Sequence, residues 1–480
     1  MGATISGTKT YFSSHALPNS GTVVLGKTGW QISPVGFGCY RIYDTNSTHV
    51  EALRLALESG CNLIDTSSNY TNGSAERAVG KVLAELIALK KITRDGVVVV
   101  TKVGYVQGEN MKLVRERMSE ADPFSEMVEY SEDCWHCISP DFLEDQITRC
   151  LQRLGLKQID VLLLHNPEYF LKSVPDHAEY YRRIKTAFEY LETEVRKGRI
   201  QYYGVSSNSF PEAKEHPEYT SLETLVEFAG EHFAVIQFPM NLYEPGAALE
   251  ENNTGKTLAE RARKSKIGTL VNRPLNAFHA TSGGADKMSR LADFPSHHGI
   301  DTAALVKEAL ARTMELESRY PGNALIPAKR IAWGHILREN VERLAELDTW
   351  TQVLNFQIRP VLEAAFHILT PAHPEWVKEY RNVSNALFES FTAFLEAKAA
   401  VESQILKANL NQAVPALKSS KTLSQKAVRI YRSIPGIDCI LVGMRKSAYV
   451  KDILKLQPVL NSDEAFEALS AARAVEVQET

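Results

Sequence analysis

Four residues of this 480-residue chain belong to types that can move a proton between them: Asp65, Tyr70, Lys102 and His165. A phenol has an ordinary pKa of about 10, too high for efficient acid–base work at neutral pH. A lysine ammonium beside it is expected to stabilise the phenolate and lower that pKa. A carboxylate paired with the lysine keeps it charged and aimed. A neutral histidine can donate a hydrogen bond to a carbonyl oxygen. Together they could protonate an alkoxide as hydride arrives at a carbonyl carbon. The roles assigned are Tyr70 as general acid/base, Lys102 as tuner of its pKa, Asp65 as orienter of Lys102 and His165 as carbonyl polariser. None of these side chains supplies a hydride, so a nicotinamide cofactor is implied.

Taken singly, each residue has an ordinary reading: a turn Asp, a solvated Lys, a hydrogen-bonded core His. The weight lies in their placement. The apolar runs 62–65, 97–101 and 159–164 end at or just before Asp65, Lys102 and His165. Five further runs of the same kind begin near residues 35, 200, 234, 267 and 438, and amphipathic helical stretches alternate with them. The runs are short and apolar on both faces, as buried parallel strands are. Eight such units predict an α/β fold, a (β/α)8 TIM barrel, with catalytic residues at the C-terminal strand ends. A doubly wound sheet is the rival and usually has fewer strands. Residues 22–32 read as an N-terminal β-hairpin with a Gly-bounded turn.

The rhythm breaks twice. Residues 105–138 read as a long polar loop holding Tyr105 and Trp135, which with Tyr43 are candidates to wall a pocket. Residues 277–421 offer no strand, only helical stretches at 301–320, 328–347, 349–369 and 374–408. A βα loop ordinarily has about 2–6 residues, so this is a helical insertion between strands 7 and 8. Two readings stand for it: a lid or wall over the pocket, or an oligomer interface or rim decoration. The expected organisation is a polar arm at 1–21, the first part of the barrel at 22–276, the insertion at 277–421, and strand 8 with the C-terminal tail at 422–480.

Composition narrows the function classes. The formal net charge of −4 gives no reason to expect nucleic acid or an anionic membrane as partner. No apolar run is long enough to span a bilayer. The N-terminus reads as a loose polar arm without an apolar core, so a cytoplasmic location is expected. The six cysteines are scattered, which suits reduced thiols. Cys134 and Cys137 have CxxC spacing but no second ligand pair, so no metal site is expected.

The stretches GCNLIDTSSNY, TKVG and IDVLLLHNPE resemble the aldo-keto reductase superfamily. The likeness runs from about residue 22 to 275 and resumes at about 422–456. It implies an NAD(P)H-dependent oxidoreductase interconverting small carbonyl compounds (aldehydes, ketones or sugars) and alcohols. The alternative is a cofactor-binding regulatory or redox-sensing subunit with little turnover. By the resemblance, Asp65, Tyr70, Lys102 and His165 match the catalytic tetrad, with Ser67 where many members have Ala. Ser206 and Gln237 match residues that contact the nicotinamide carboxamide. Ser207 falls where an Asn usually does so, with Asn208 as its substitute. Asn272 falls where many members stack an aromatic ring on nicotinamide, and Arg273, Pro274 and Leu275 follow in the cofactor loop. Gly443, Arg445 and Lys446 lie where the family binds the adenosine end. The two cations favour NADP. NAD is the alternative, because Tyr449 stands where NADP-preferring members commonly carry Arg. The resemblance does not define substrate or oligomeric state.

Overall fold

The computed structural model describes residues 2–15, 17, 21–280, 286–295, 297, 299–341, 344 and 346–478. Residues 1, 16 and 18–20 of the arm, ten positions in the insertion (281–285, 296, 298, 342, 343 and 345) and the last two residues lie outside it.

The apolar runs form the strands β1 (Val35–Gly38), β2 (Leu63–Asp65), β3 (Val98–Val103), β4 (Ile159–His165), β5 (Ile200–Ser206), β6 (Phe233–Pro239), β7 (Gly268–Asn272) and β8 (Cys439–Val442). They pair in parallel in chain order, and β8 returns to β1 to close an eight-stranded barrel. Every residue of β2, β3, β4 and β6 is buried, which explains why these runs are apolar on both faces. Inside the barrel, Leu63, Val98, Val100, Val161, Leu163 and Leu270 pack with Leu25, Trp30 and Ile32 of the N-terminal hairpin. The hairpin (Val23–Val24 against Gln31–Ile32) thus contributes to the barrel core. Its turn presses on β7: a Cβ at Gly26, whose φ is +46°, would lie 2.2 Å from the Gly268 nitrogen, so the position demands glycine.

Each strand has two functional ends. Asp160 at the start of β4 accepts from the Ala3 and Val99 amides at 2.6 and 2.7 Å, from Arg94 at 2.8 Å and from Gln201 at 2.9 Å. This is a stitch at the N-terminal end of the strands, five residues before His165 at the other end of the same strand. The register then sets the C-terminal ends level: Asp65 opposes Gly38 and Val100, Lys102 opposes Leu163, His165 opposes Ser206, and Ser206 opposes Gln237.

Several expectations need correction. The N-terminal arm is not loose, because Ile5–Ser14 is a helix capped by Thr4, whose side chain accepts from Gly7. Gly7 and Thr8 let it approach closely: a Cβ at Gly7 would lie 2.4 Å from the Asp95 carbonyl oxygen. The Tyr11 hydroxyl donates to the Leu57 carbonyl. Small polar residues dock this helix, so no apolar stripe announced it. The polar loop 105–138 holds the helix Gly108–Ser119 and a three-stranded antiparallel sheet of Tyr105–Val106, Cys134–His136 and Val128–Ser131. The tail adds a helix, Ser462–Gln478, which buries Ala465, Ala468, Leu469 and Ala472.

Residues 276–412 form a second compact unit, together with 475–480. It opens with an antiparallel pair, Asn276–Ala280 against Asp286–Arg290, where no strand was expected. Helices follow, including Thr302–Ser318, Arg359–Leu369 and the 40-residue Pro374–Ala413. Its core gathers Trp350, Ile358, Phe366, Leu369, Tyr380, Phe388 and Phe391. Buried Glu317 accepts from the Gly334 amide at 2.6 Å and the Tyr380 hydroxyl at 2.8 Å. Residues 413–421 belong with the barrel, where Lys426 donates to the Leu417 and Ser420 carbonyls at 2.5 and 2.7 Å.

Candidate active site

Asp65 ends β2 and Lys102 lies near the end of β3, so the register brings their side chains together. Lys102 Nζ lies 2.7 and 2.8 Å from the two Asp65 oxygens, and donates to the Thr66 carbonyl at 2.9 Å and the Tyr70 hydroxyl at 3.2 Å. Both members of the ion pair are buried. Gln237, at the end of β6, donates to Asp65 Oδ1 at 2.8 Å, and its own Oε1 accepts from Ser206 at 3.1 Å. Tyr70 follows β2 on a 3₁₀ turn whose next residues, Thr71 and Asn72, have φ of 48° and 54°. A β-branched residue rarely adopts that conformation. Here the Thr71 hydroxyl donates to the Ile42 carbonyl at 2.7 Å, holding the turn and with it the phenol.

His165 ends β4. Its Nδ1 lies 3.0 Å from Ser67 Oγ, and its ring meets Tyr70 and Tyr105 edge to face at 5.8 and 4.7 Å between centroids. The Tyr40 ring stands 5.2 Å from the Tyr70 ring. His136 Nε2 donates to the His165 carbonyl at 2.8 Å, fixing the backbone at the strand end. Thus all four tetrad residues meet at one end of the barrel, and Tyr105 lines the same cluster.

The electrostatics differ from expectation at Tyr70. Burial raises its pKa well above the usual phenol value, and Asp65, Tyr40 and Cys39 raise it further. The Lys102 ammonium, 3.2 Å from the hydroxyl, does not reverse that rise; its shortest contacts go to Asp65 and Thr66. Burial also lowers the Lys102 pKa, opposed by Asp65, and raises that of Asp65, opposed by Lys102 and Gln237. His165 is held well below its ordinary value by burial, Lys102 and His136, so it is neutral near pH 7. The site therefore holds a protonated phenol and a neutral imidazole.

The residues assigned to a nicotinamide are placed unequally. Ser206 and Gln237 are bonded to each other, and Gln237 also holds Asp65. Ser207 is buried and points into a hydroxyl chain of Ser209 and Thr220 that ends on Tyr180. Asn208 is exposed. Asn272, at the end of β7, has a buried Oδ1 with no hydrogen-bond partner. An orphaned acceptor at this strand end suits an amide N–H, so the residues fit a nicotinamide carboxamide. Arg273 pairs with Glu244 at 3.0 Å, next to buried Pro274 and half-buried Leu275. Gly443, Arg445 and Lys446 follow the C-terminal end of β8, with Gly443 and Lys446 exposed.

Residues to which the sequence reading gave no catalytic or binding role complete the site. Ser67, Asn69 and Gln107 form a chain behind His165. Ser67 and Asn69 lie inside the very motif that holds Asp65 and Tyr70, so proximity was the available signal. Glu168, in the loop after β4, is 1% exposed. One oxygen accepts from the Asn208 amide at 2.8 Å and the other has no partner. Burial pushes its pKa up to about 7. A carboxyl whose folded pKa exceeds its unfolded value costs stability as pH rises between the two, on the order of 3 kcal/mol here. Glu168→Gln is therefore expected to gain on the wild type as pH rises from about 5 to 8. Melting temperatures across that range check this, and a pH-independent difference would refute it.

The aldo/keto reductase family model matches residues 34–313, more than half of the chain. The chain belongs to the aldo/keto reductase family. It is 26% identical over 214 residues to the NADH-specific methylglyoxal reductase of Escherichia coli, covering 42% of this chain and 57% of that protein. It is 26% identical over 374 residues to the aldo-keto reductase YhdN of Bacillus subtilis, covering 73% and 95%. It matches a putative voltage-gated potassium channel subunit beta of Schizosaccharomyces pombe at 26% identity, over 38% of this chain and 44% of that one. The chain thus spans about half the length of two of these relatives. The glycerol dehydrogenase of Gluconobacter oxydans has a similar fold, with a TM-score of 0.50 at 17% identity over 95% of this chain and 96% of that one. Among the described residues, no helix is long and apolar enough to cross a membrane, and no cluster of side chains could hold a metal ion.

Proposed function

We propose that this aldo/keto reductase family member is an NAD(P)H-dependent oxidoreductase that reduces a small carbonyl compound to an alcohol, with Tyr70 as the proton donor. The observation that carries the reading is the Lys102 ammonium, 2.7 Å from Asp65 and 3.2 Å from the Tyr70 hydroxyl in a buried cluster. A bound nicotinamide cofactor supplies the hydride. Asn272, Asn208 and Ser206 are assigned to its carboxamide, and Arg445 and Lys446 to its phosphates, which favours NADP, with NAD the alternative. Asp65 keeps Lys102 charged despite burial. Lys102 directs its positive charge at the phenol oxygen and steadies the phenolate left when the proton departs. Gln237 holds the second face of Asp65, so the carboxylate cannot swing away from Lys102.

The test is cofactor oxidation, followed by NADPH and NADH absorbance, with a panel of aldehydes, ketones and sugars. Turnover is expected with at least one carbonyl class and one cofactor. Tight cofactor binding without turnover would instead favour a redox-sensing subunit.

A further inference from the structure

Parallel strands bond by a fixed rule. A residue that faces its neighbouring strand sends its amide to the carbonyl one step back along that strand, and its own carbonyl accepts from the amide one step ahead. Ser206 opposes His165 in the pairing of β5 with β4, and its carbonyl accepts from the Asn166 amide at 2.7 Å. Ser207 faces the other way, and its amide donates to the Gln237 carbonyl of β6 at 3.0 Å. Asn208 faces β4 again, so by the rule its amide belongs on the carbonyl of Asn166. That carbonyl has turned away. Asn166 has a φ of +51°, a conformation that asparagine tolerates. Its carbonyl accepts instead from the Tyr169 amide at 3.1 Å, in the turn that opens the short helix Tyr169–Ser173.

The Glu168 carboxyl fills the gap. Its Oε1 accepts from the Asn208 amide at 2.8 Å. A side chain thus replaces a backbone carbonyl and carries the ladder one residue past the rim of the barrel. The replacement is costly, because the carboxyl is buried and its Oε2 has no partner. Lys172, one helical turn on, pairs with Glu218 at 3.4 Å. The hydroxyls of Ser207, Ser209, Thr220 and Tyr180 bond one another. The Asn208 side chain itself is exposed at the rim. Beyond the last regular ladder bond, the backbone that carries it is held towards β4 by Glu168.

We infer that Glu168 is a positioning residue: its carboxyl stands in for the diverted carbonyl of Asn166 and so holds Asn208 in place for the carboxamide of a nicotinamide cofactor. The role asks for an acceptor at this reach and not for a charge. The cofactor half rests on the reductase reading above; the ladder half does not.

Two measurements on the full chain separate the halves. Hydrogen exchange at the Asn208 amide, resolved by mass spectrometry with residue-level fragmentation, reads the bond itself. Glu168→Gln keeps an oxygen at the same reach and is expected to exchange as slowly as the wild type. Glu168→Leu removes the acceptor and should exchange roughly tenfold faster or more. Equal exchange in these two variants overturns the inference. Glu168→Asp keeps the charge on an arm one methylene shorter. It is expected to follow the leucine variant, and it decides the point if Glu168→Leu does not fold; slow exchange in it would refute the role assigned to reach.

The second measurement is cofactor affinity, by fluorescence titration with NADPH and NADH. Asn208→Ala and Glu168→Leu are each expected to raise Kd about tenfold, and Glu168→Gln to change it less than about threefold. Combined in one chain, Asn208→Ala and Glu168→Leu should raise Kd little beyond either alone, since both act on one contact. Losses that multiply would show that Glu168 does not act through Asn208. Unchanged affinity in Asn208→Ala would show that Asn208 does not hold the cofactor. Either result sinks the positioning role. If neither cofactor binds the wild type, the reductase reading falls, while exchange at Asn208 still decides the ladder.

Discussion

Tyr70→Phe is expected to lower carbonyl reduction by about 10²–10⁴-fold, the range that a positioned acid contributes. The substitution removes one oxygen and leaves the ring. The edge-to-face contacts with Tyr40 and His165 persist, and so does the ring's contact with the Lys102 ammonium, 4.7 Å from its centroid. Lys102 loses only its longest partner, because Asp65 and Thr66 still bind it at 2.7–2.9 Å. Stability should therefore change little, and cofactor affinity, read by fluorescence titration, should be retained. The loss should appear in kcat, since the missing interaction belongs to the transition state. The raised phenol pKa supports this direction: Tyr70 holds its proton at neutral pH and is ready to give it. His165, held neutral, has no imidazolium proton to give, and Tyr105, whose hydroxyl accepts from Asn166 at 2.9 Å, is likewise raised by burial. Turnover by Tyr70→Phe within tenfold of wild type would remove Tyr70 from the acid's role.

The barrel was legible because burial leaves a strong mark. A parallel strand enclosed on both faces tolerates no polar alternation, so β2, β3, β4 and β6 read as unbroken apolar runs. Their polar ends stood out for the same reason. Only strand ends reach solvent or ligand, so Asp65, Lys102 and His165 could be picked out before any geometry was known. The excursion at 105–138 hid its sheet because Val128–Ser131 exposes three of its four residues and offers no apolar run. The hairpin that opens the second unit was missed likewise, and the N-terminal helix docks through glycine and hydroxyls. What no pattern of residue types could reveal is which polar group spends its bonds on which neighbour. Gln237 was expected at the cofactor carboxamide, and no pattern showed that it also holds Asp65. Ser67 looked like a mild substitution for alanine, yet it stands between Asn69 and the imidazole. Those assignments depend on distances of a few tenths of an ångström across strands far apart in sequence.

The second large effect is expected at the buried ion pair. Lys102→Met removes the one positive charge that, among the described residues, lies within bonding distance of Asp65, and leaves a buried carboxylate bonded to Gln237. Breaking a buried pair on one side costs about 3–5 kcal/mol, mostly the cost of the uncompensated charge. Asp65→Asn errs in the opposite sense: it leaves Lys102 charged, and the new amide can present N–H groups to Gln237 Nε2, itself a donor. The double variant, Asp65→Asn with Lys102→Met, removes both charges together. Its destabilisation should fall well short of the sum of the singles, with a coupling of about 0.5–3 kcal/mol measured by denaturant unfolding of the full chain. Additive losses would mean that the two side chains do not depend on each other, against the 2.7 Å contact. Activity should not recover alongside stability. The double variant restores a neutral interior but no longer has a cation to steady the Tyr70 phenolate, so its reduction rate should stay near that of Tyr70→Phe. That separation of recovered stability from lost turnover would distinguish a lysine that acts on the phenol from one that merely neutralises Asp65.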